Sequence, residues 1–129
     1  DITAQIDLGW RHSENDFVDY NVQYLIPHAL STRGPKMAVA DVNKDGLDDF
    51  YVCGAKGQPG ALMIQQRNGQ VKQTDTALFN KYAIAEEVDA VFFDANGDSF
   101  ADLFVVTGGN EKPVNELSLL DRLYLNDGK

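Results

Sequence analysis

An internal repeat constrains this chain more than any other feature of its sequence. Residues 38–52 align without a gap with residues 91–105, at a constant offset of 53 positions. Each copy is a short apolar stretch, an acidic loop and a second apolar stretch. Four polar positions of the loop agree between the copies: Asp41 and Asp94, Asn43 and Asn96, Asp45 and Asp98, Asp49 and Asp102. Such a repeat is typical of proteins that stack copies of one supersecondary unit.

The stretches around the loops predict strands rather than helices, because they are short, β-rich and separated by turn residues. Asn68-Gly69 is a strong hairpin signal, and one short helical turn is expected within residues 76–87. The predicted strands are residues 37–40, 48–53, 61–66, 70–74, 89–93, 101–107 and 122–126. We therefore predict an all-β fold of about two four-stranded antiparallel units, the second of which lacks its last strand.

This pattern divides the chain into a leader, residues 1–35, and two repeats, residues 36–87 and 88–129. The leader shows a loose alternation of apolar residues and is interpreted as the last strand of a preceding unit, followed by a linker; these residues are Ile2, Ile6, Leu8 and Trp10. A polar group in the leader, Asp16, Asp19 and Asn21, has no repeated counterpart, and we expect it to be a solvated loop.

Charge and composition exclude several classes of protein. The chain carries 20 Asp and Glu against 11 Lys and Arg, a formal net charge of −9, which argues against nucleic-acid binding because phosphates require basic partners. No apolar run approaches the roughly 20 residues of a membrane helix, so we expect no membrane insertion. The single cysteine, Cys53, cannot form an internal disulfide and is expected in the core. Because the chain starts at Asp1, we expect an excised or mature piece of a longer protein.

The acidic loops carry the candidate chemistry. Oxygen donors at positions 1, 3, 5 and 9, with a backbone carbonyl at position 7, suit Ca²⁺, a hard cation that takes 6–8 oxygens. Gly46 occupies position 6 of the first loop, whereas Ser99 occupies it in the second, so we expect the second site to be weaker or differently shaped. The alternative to calcium sites is that both loops are ordinary acidic turns. The candidate ligands are Asp41, Asn43, Asp45, the carbonyl of Leu47, Asp49, Asp94, Asn96, Asp98, the carbonyl of Phe100, and Asp102.

Helical calcium motifs fit this spacing poorly. An EF-hand loop requires an acidic residue at position 12, where this chain has Val52 and Val105. The flanks also read as strands. A dockerin-type interaction module, which is helical, is therefore a minor alternative.

The two loops, Asp41-Val-Asn-Lys-Asp-Gly-Leu-Asp-Asp and Asp94-Ala-Asn-Gly-Asp-Ser-Phe-Ala-Asp, resemble the calcium loops of FG-GAP/VCBS repeats, the type that builds the integrin alpha-subunit β-propeller. Together with the sequence of residues 121–128, the two loops look most like those of bacterial VCBS-repeat proteins that carry an ASPIC/UnbV region. The resemblance implies β-propeller blades of four strands, with structural Ca²⁺ in the loop between the first two. It also implies an extracellular, periplasmic or cell-surface protein that serves in recognition or adhesion, with a protein or carbohydrate ligand.

Two blades cannot close a propeller, which typically needs four to eight. We therefore expect an incomplete propeller, or one completed by self-association through exposed blade edges. We expect no enzymatic activity, since no nucleophile and base can be assigned. The alternative is part of a propeller enzyme, a lyase or hydrolase acting on polysaccharide, with His12, His28 and Tyr24 as its candidates.

Overall fold

Two antiparallel sheets make up the fold in the computed structural model, which describes residues 8–29, 31, 34–109 and 117–128. Each sheet follows chain order. Sheet 1 contains β1 (Met37–Ala40), β2 (Asp49–Val52), β3 (Ala61–Gln65) and β4 (Val71–Thr74). Sheet 2 contains β5 (Glu86–Phe93), β6 (Asp102–Gly108) and β7 (Arg122–Tyr124). The predicted all-β class is confirmed, and the two sheets are consistent with part of a propeller.

Helix is confined to short turns in the described residues. One α-helical turn, Thr76–Phe79, continues into a 3₁₀ turn, Asn80–Tyr82, as residues 76–87 predict. Two further 3₁₀ turns span Asp19–Asn21 and Leu117–Leu119. In this part of the chain, no helix is long and apolar enough to cross a membrane.

Strand β5 begins three residues earlier than the sequence predicts, at Glu86 instead of residue 89. The pairing of β5 with β6 shifts register between Glu87 and Asp89, and such a bulge lets a strand continue past one unpaired residue. Beyond the shift, Glu86 pairs with Gly108. The bulge is what extends the ladder, and a periodicity of two cannot reveal it.

The leader contacts sheet 1 through a side chain instead of a strand. The amide of Gln58 accepts a hydrogen bond from Ser13 N at 2.8 Å and donates one to the Arg11 carbonyl at 2.7 Å. One amide side chain thus satisfies both backbone groups that a paired strand would use. Of the proposed leader strand, Leu8 and Trp10 lie in irregular chain, while Ile2 and Ile6 fall outside the described residues.

Asp19 is buried, so the prediction of a solvated loop is wrong at this position. Its Oδ2 accepts hydrogen bonds from the hydroxyl and from the backbone N–H of Ser31. A buried carboxylate requires such donors. The donor lies 12 residues further along the chain. The sequence pattern around Asp19 does not indicate such a distant partner.

The core lies between the two sheets. Tyr51, Cys53, Leu103 and Val105 are buried there, together with Phe79 from the helical turn. The Phe79 ring is 5.2 Å from that of Tyr51 and 5.3 Å from that of Tyr124, within the range of favourable aromatic pairs. Cys53 is in the core as predicted, and its burial raises the pKa of the thiol to about 12.

The two sheets stack with unlike faces in contact: one face of sheet 1 packs against the opposite face of sheet 2. Ala38 of β1 is 7% exposed and faces the core, whereas its repeat counterpart in β5, Val91, is 48% exposed. Ala90 and Phe92 of β5 pack on the core instead, because side chains alternate along a strand. Sheet 2 therefore has an apolar outer face that no described residue covers fully, formed by Val91, Phe93, Phe104 and Leu123.

Replacing Phe79 with Ala tests the packing between the sheets. We expect the free energy of unfolding to fall by about 3–5 kcal/mol, because a buried aromatic side chain is lost and a cavity remains. Leu78→Ala, at the partly exposed neighbour in the same turn, is the matched control and should cost much less. Urea denaturation followed by circular dichroism measures both. Equal losses in the two variants would contradict this placement of the core.

Candidate functional site

The ten predicted ligand residues fall into two loops that occupy the same place in each sheet. Loop 1 (residues 41–49) joins β1 to β2, and loop 2 (residues 94–102) joins β5 to β6. In both loops, position 9 is the first residue of the following strand. The repeat alignment therefore predicts the location of both loops correctly.

Position 1 organises each loop by accepting backbone N–H groups. In loop 1, Asp41 Oδ1 accepts from Asp45 N at 3.1 Å and Oδ2 accepts from Gly46 N at 2.9 Å. In loop 2, Asp94 accepts from the equivalent groups, Asp98 N at 3.2 Å and Ser99 N at 2.8 Å. Hydrogen bonds from the backbone, that of Ser99 foremost, lower the pKa of Asp94 below its usual 3.8. The charged form of this carboxylate is thereby favoured.

Positions 3 and 5 repeat the same pattern. Asn43 Oδ1 accepts from Asp45 N at 2.9 Å, and Asn96 Oδ1 accepts from Asp98 N at 3.0 Å. The carboxylate at position 5 accepts from the N–H at position 7, which belongs to Leu47 in loop 1 and Phe100 in loop 2. The backbone of both loops is thus curled around its own acidic side chains.

Both loops have positive φ at positions 4 and 6, but they place their glycine differently. Loop 1 has Lys44 at 59° and Gly46 at 86°, while loop 2 has Gly97 at 81° and Ser99 at 70°. A non-glycine residue in this region costs of order 1–2 kcal/mol. Each loop contains one such residue, so the strain expected at Ser99 is matched by strain at Lys44. The backbone gives no reason for a differently shaped or weaker second loop.

Position 9 ties loop 1 to the third strand of sheet 1 and loop 2 to the segment just beyond the third strand of sheet 2. Asp49 is fully buried; its Oδ2 accepts from Val42 N at 3.1 Å and its Oδ1 from Gln65 N at 2.9 Å. Asp102 is also fully buried and accepts from Ala95 N at 2.9 Å and Asn126 N at 2.8 Å. Burial raises the pKa of Asp49, although the two N–H groups oppose the rise. The spacing alone predicts ligands at position 9 and does not reveal this structural role.

The donor chemistry of both loops suits a hard cation. Carboxylate, amide and carbonyl oxygens are the ligands that Ca²⁺ prefers, and an ionised carboxylate has about four acceptor sites. Asp41 uses two of its sites on loop N–H groups. Within the described ranges, no group of three or more His, Cys, Asp or Glu side chains is placed to hold a metal ion.

A second polar cluster, which sequence analysis missed, joins the two sheets. The Glu87 carboxylate on β5 accepts from the Tyr51 hydroxyl at 2.8 Å, from Gly54 N at 2.9 Å and from Arg122 Nη2 at 2.7 Å. The Glu87 and Arg122 side chains are only 3% and 10% exposed. A buried ion pair needs such additional donors to offset the loss of solvation. The two residues of the ion pair are 35 positions apart in the chain. The one local signal for the pair is an acidic residue close to the start of a strand.

Asparagine at position 9 tests the tie between loop and strand. In Asp49→Asn or Asp102→Asn, an NH₂ group replaces one oxygen and faces a backbone N–H, so a buried donor is left unpaired. We expect each variant to lose about 1–3 kcal/mol of unfolding free energy, measured by urea denaturation in excess EGTA to remove any contribution of calcium. Asp48→Asn, at the exposed neighbour, should be nearly neutral. No loss at Asp49 or Asp102 would contradict the tie.

Glu87 predicts a dependence of stability on pH. Burial raises the pKa of Glu87 above its usual 4.5, against opposing effects of Gly54 N–H, Tyr51 and Arg122. Its contribution to stability is therefore fully present below pH 4.5 and is lost as pH rises through the raised folded value. Glu87→Gln should flatten the stability profile in that window, whereas Asp89→Asn, at an exposed position of β5, should not. Thermal melts across pH measure this; equal profiles for Glu87→Gln and the parent would refute it.

Comparison with known families finds a repeat family whose match includes both acidic loops. A family model described as an FG-GAP-like repeat matches residues 41–105, half of the chain, and the match includes every predicted ligand residue. Neither a curated protein nor a solved structure shows a significant match. The doubled loop, the antiparallel sheets around it and this match identify the chain as a member of the FG-GAP-like repeat family.

Proposed function

We propose that this chain is a calcium-binding propeller-repeat segment in which Ca²⁺ has a structural role in both loops. The observation that carries the proposal is the shared hydrogen-bond pattern of the two loops, which holds oxygen donors at the same four positions. The three candidate ligand carboxylates of each loop nearly offset one divalent cation. No ion pair with Lys or Arg offsets them in the part of the chain that the structure describes.

Each loop would hold one Ca²⁺ through oxygens of five residues. The ion would supply no chemistry beyond offsetting charge and ordering the loop. The first set is Asp41, Asn43, Asp45, the Leu47 carbonyl and Asp49. The second set is Asp94, Asn96, Asp98, the Phe100 carbonyl and Asp102. Position 9 has a double task in this proposal, since its carboxylate also accepts the two backbone N–H groups. The remaining acceptor sites of that carboxylate allow both.

The biological role that we propose is recognition or adhesion, with a protein or carbohydrate ligand and no catalytic step. Family membership supports this role, and a net charge of −9 disfavours nucleic acid as the partner. We further propose an exported protein, extracellular, periplasmic or at the cell surface, of the ASPIC/UnbV-associated type. The apolar face of sheet 2, which no described residue covers fully, favours association with further blades or with another copy.

A thermal melt across a calcium titration tests the metal sites. Each ion that binds only the folded state adds about 2.7 kcal/mol at a hundredfold excess over its dissociation constant, which should raise the midpoint by several degrees. We expect this rise for the parent chain relative to excess EGTA. The Asp45→Ala, Asp98→Ala double variant should show none.

The matched control removes the same charge without touching a candidate ligand. Asp48 and Asp89 are exposed carboxylates, and the Asp48→Ala, Asp89→Ala variant should keep the calcium-dependent rise. The same melt with magnesium in place of calcium separates a specific site from general screening of acidic charge. A midpoint unchanged by calcium in the parent chain would mean that the loops are acidic turns only.

A further inference from the structure

A continuous run of hydrogen bonds connects the two loops through one side chain. Asn126, two residues beyond β7, donates from Nδ2 to the Val42 carbonyl of loop 1 at 2.8 Å. The same Nδ2 lies 3.3 Å from the Ala101 carbonyl of loop 2, and its backbone N donates to Asp102 Oδ1 at 2.8 Å. Val42 N in turn donates to Asp49 Oδ2. The two buried position-9 carboxylates are thus joined through Val42 and Asn126.

A second contact spans the loops directly. Lys44 Nζ of loop 1 lies 3.7 Å from the centre of the Phe100 ring of loop 2, a distance at which a cation is attracted by the ring. Lys44 and Phe100 stand at positions 4 and 7 of their loops, next to or at candidate ligands. A change of backbone in either loop therefore moves a group that touches the other.

The link is absent from the equivalent position of the first repeat. Gln65 is the counterpart of Asn126, because its backbone N donates to Asp49 as that of Asn126 donates to Asp102. Only Asn126 adds side-chain bonds to both loops. The pair offers a matched comparison, since truncating either side chain leaves its backbone N–H bond to the buried aspartate in place.

We propose that the two loops are coupled through Asn126, so that a cation held in one loop raises the affinity of the other. The proposal rests on the calcium sites proposed above and adds that they do not bind independently. Ordering one loop fixes Val42 and Asp102 on either side of the Asn126 side chain, and the second loop then has less conformational freedom left to lose. Repulsion between the two cations opposes this effect, but salt screens it over about 8 Å at 0.15 M ionic strength.

Calorimetric calcium titration of the full chain tests the coupling. Asp98→Ala leaves loop 1 alone and Asp45→Ala leaves loop 2 alone, so each gives the dissociation constant of a single loop. We expect the product of the two constants of the parent chain to be at least about fivefold smaller than the product of these single-loop constants, the lower end of typical coupling. In the Asn126→Ala background this difference should shrink, and only the part carried by Lys44 and Phe100 should remain. In the Gln65→Ala background the two products should still differ as in the parent chain.

The outcomes separate this proposal from the one on which it rests. Two calcium ions bound with equal products in the parent chain would overturn the coupling and leave the calcium sites standing. A difference that persists undiminished in Asn126→Ala would overturn the role of Asn126. No calcium binding by the parent chain would overturn both proposals. Circular dichroism of each variant in EGTA checks that it is folded, and a repeat at 1 M KCl removes the charge effect of the Asp→Ala changes, because the Debye length there is about 3 Å.

Discussion

One buried aspartate in each repeat holds together the loop, the second strand and the end of the third strand or the residues just after it. Asp49 and Asp102 begin β2 and β6, are fully buried, and accept two backbone N–H groups each. A buried carboxylate is tolerated only where such donors replace water, so these bonds fix the register of the strands relative to the loop. The curled geometry of the acidic residues ahead of it depends on that anchor.

The repeat allowed much of this arrangement to be predicted. The two aligned copies predict both loops and strands β1, β2, β5 and β6, because turn residues and short apolar stretches are local signals. The turn and apolar patterns beyond the copies predict β3, β4 and β7, and β5 begins three residues earlier than predicted. Interactions between distant parts of the chain were not predictable in this way. The ion pair of Glu87 with Arg122 and the burial of Asp19 by Ser31 both depend on contacts that the sequence order does not show.

Glycine position was a misleading signal for the loops. A missing glycine at position 6 suggested a distorted second loop, yet the structure has positive φ at positions 4 and 6 in both. One glycine relieves one of these two positions in each loop: Gly46 in loop 1 and Gly97 in loop 2. Glycine is therefore needed at one of positions 4 and 6, and either position can have it. Two sequences that differ at both positions therefore share positive φ at both positions and the hydrogen bond from the position-6 N–H to the position-1 carboxylate.

The front-to-back stacking of the sheets has a consequence for assembly. The face of sheet 1 that meets sheet 2 corresponds to the face that sheet 2 leaves open, as Ala38 and Val91 show. An interface between two unlike faces is heterologous, and it does not terminate by itself: each added unit presents the same open face again. Such a series ends only when rotation returns it to its start or when a different surface covers the last unit. The rotation between neighbouring sheets thus decides between a ring and an open filament.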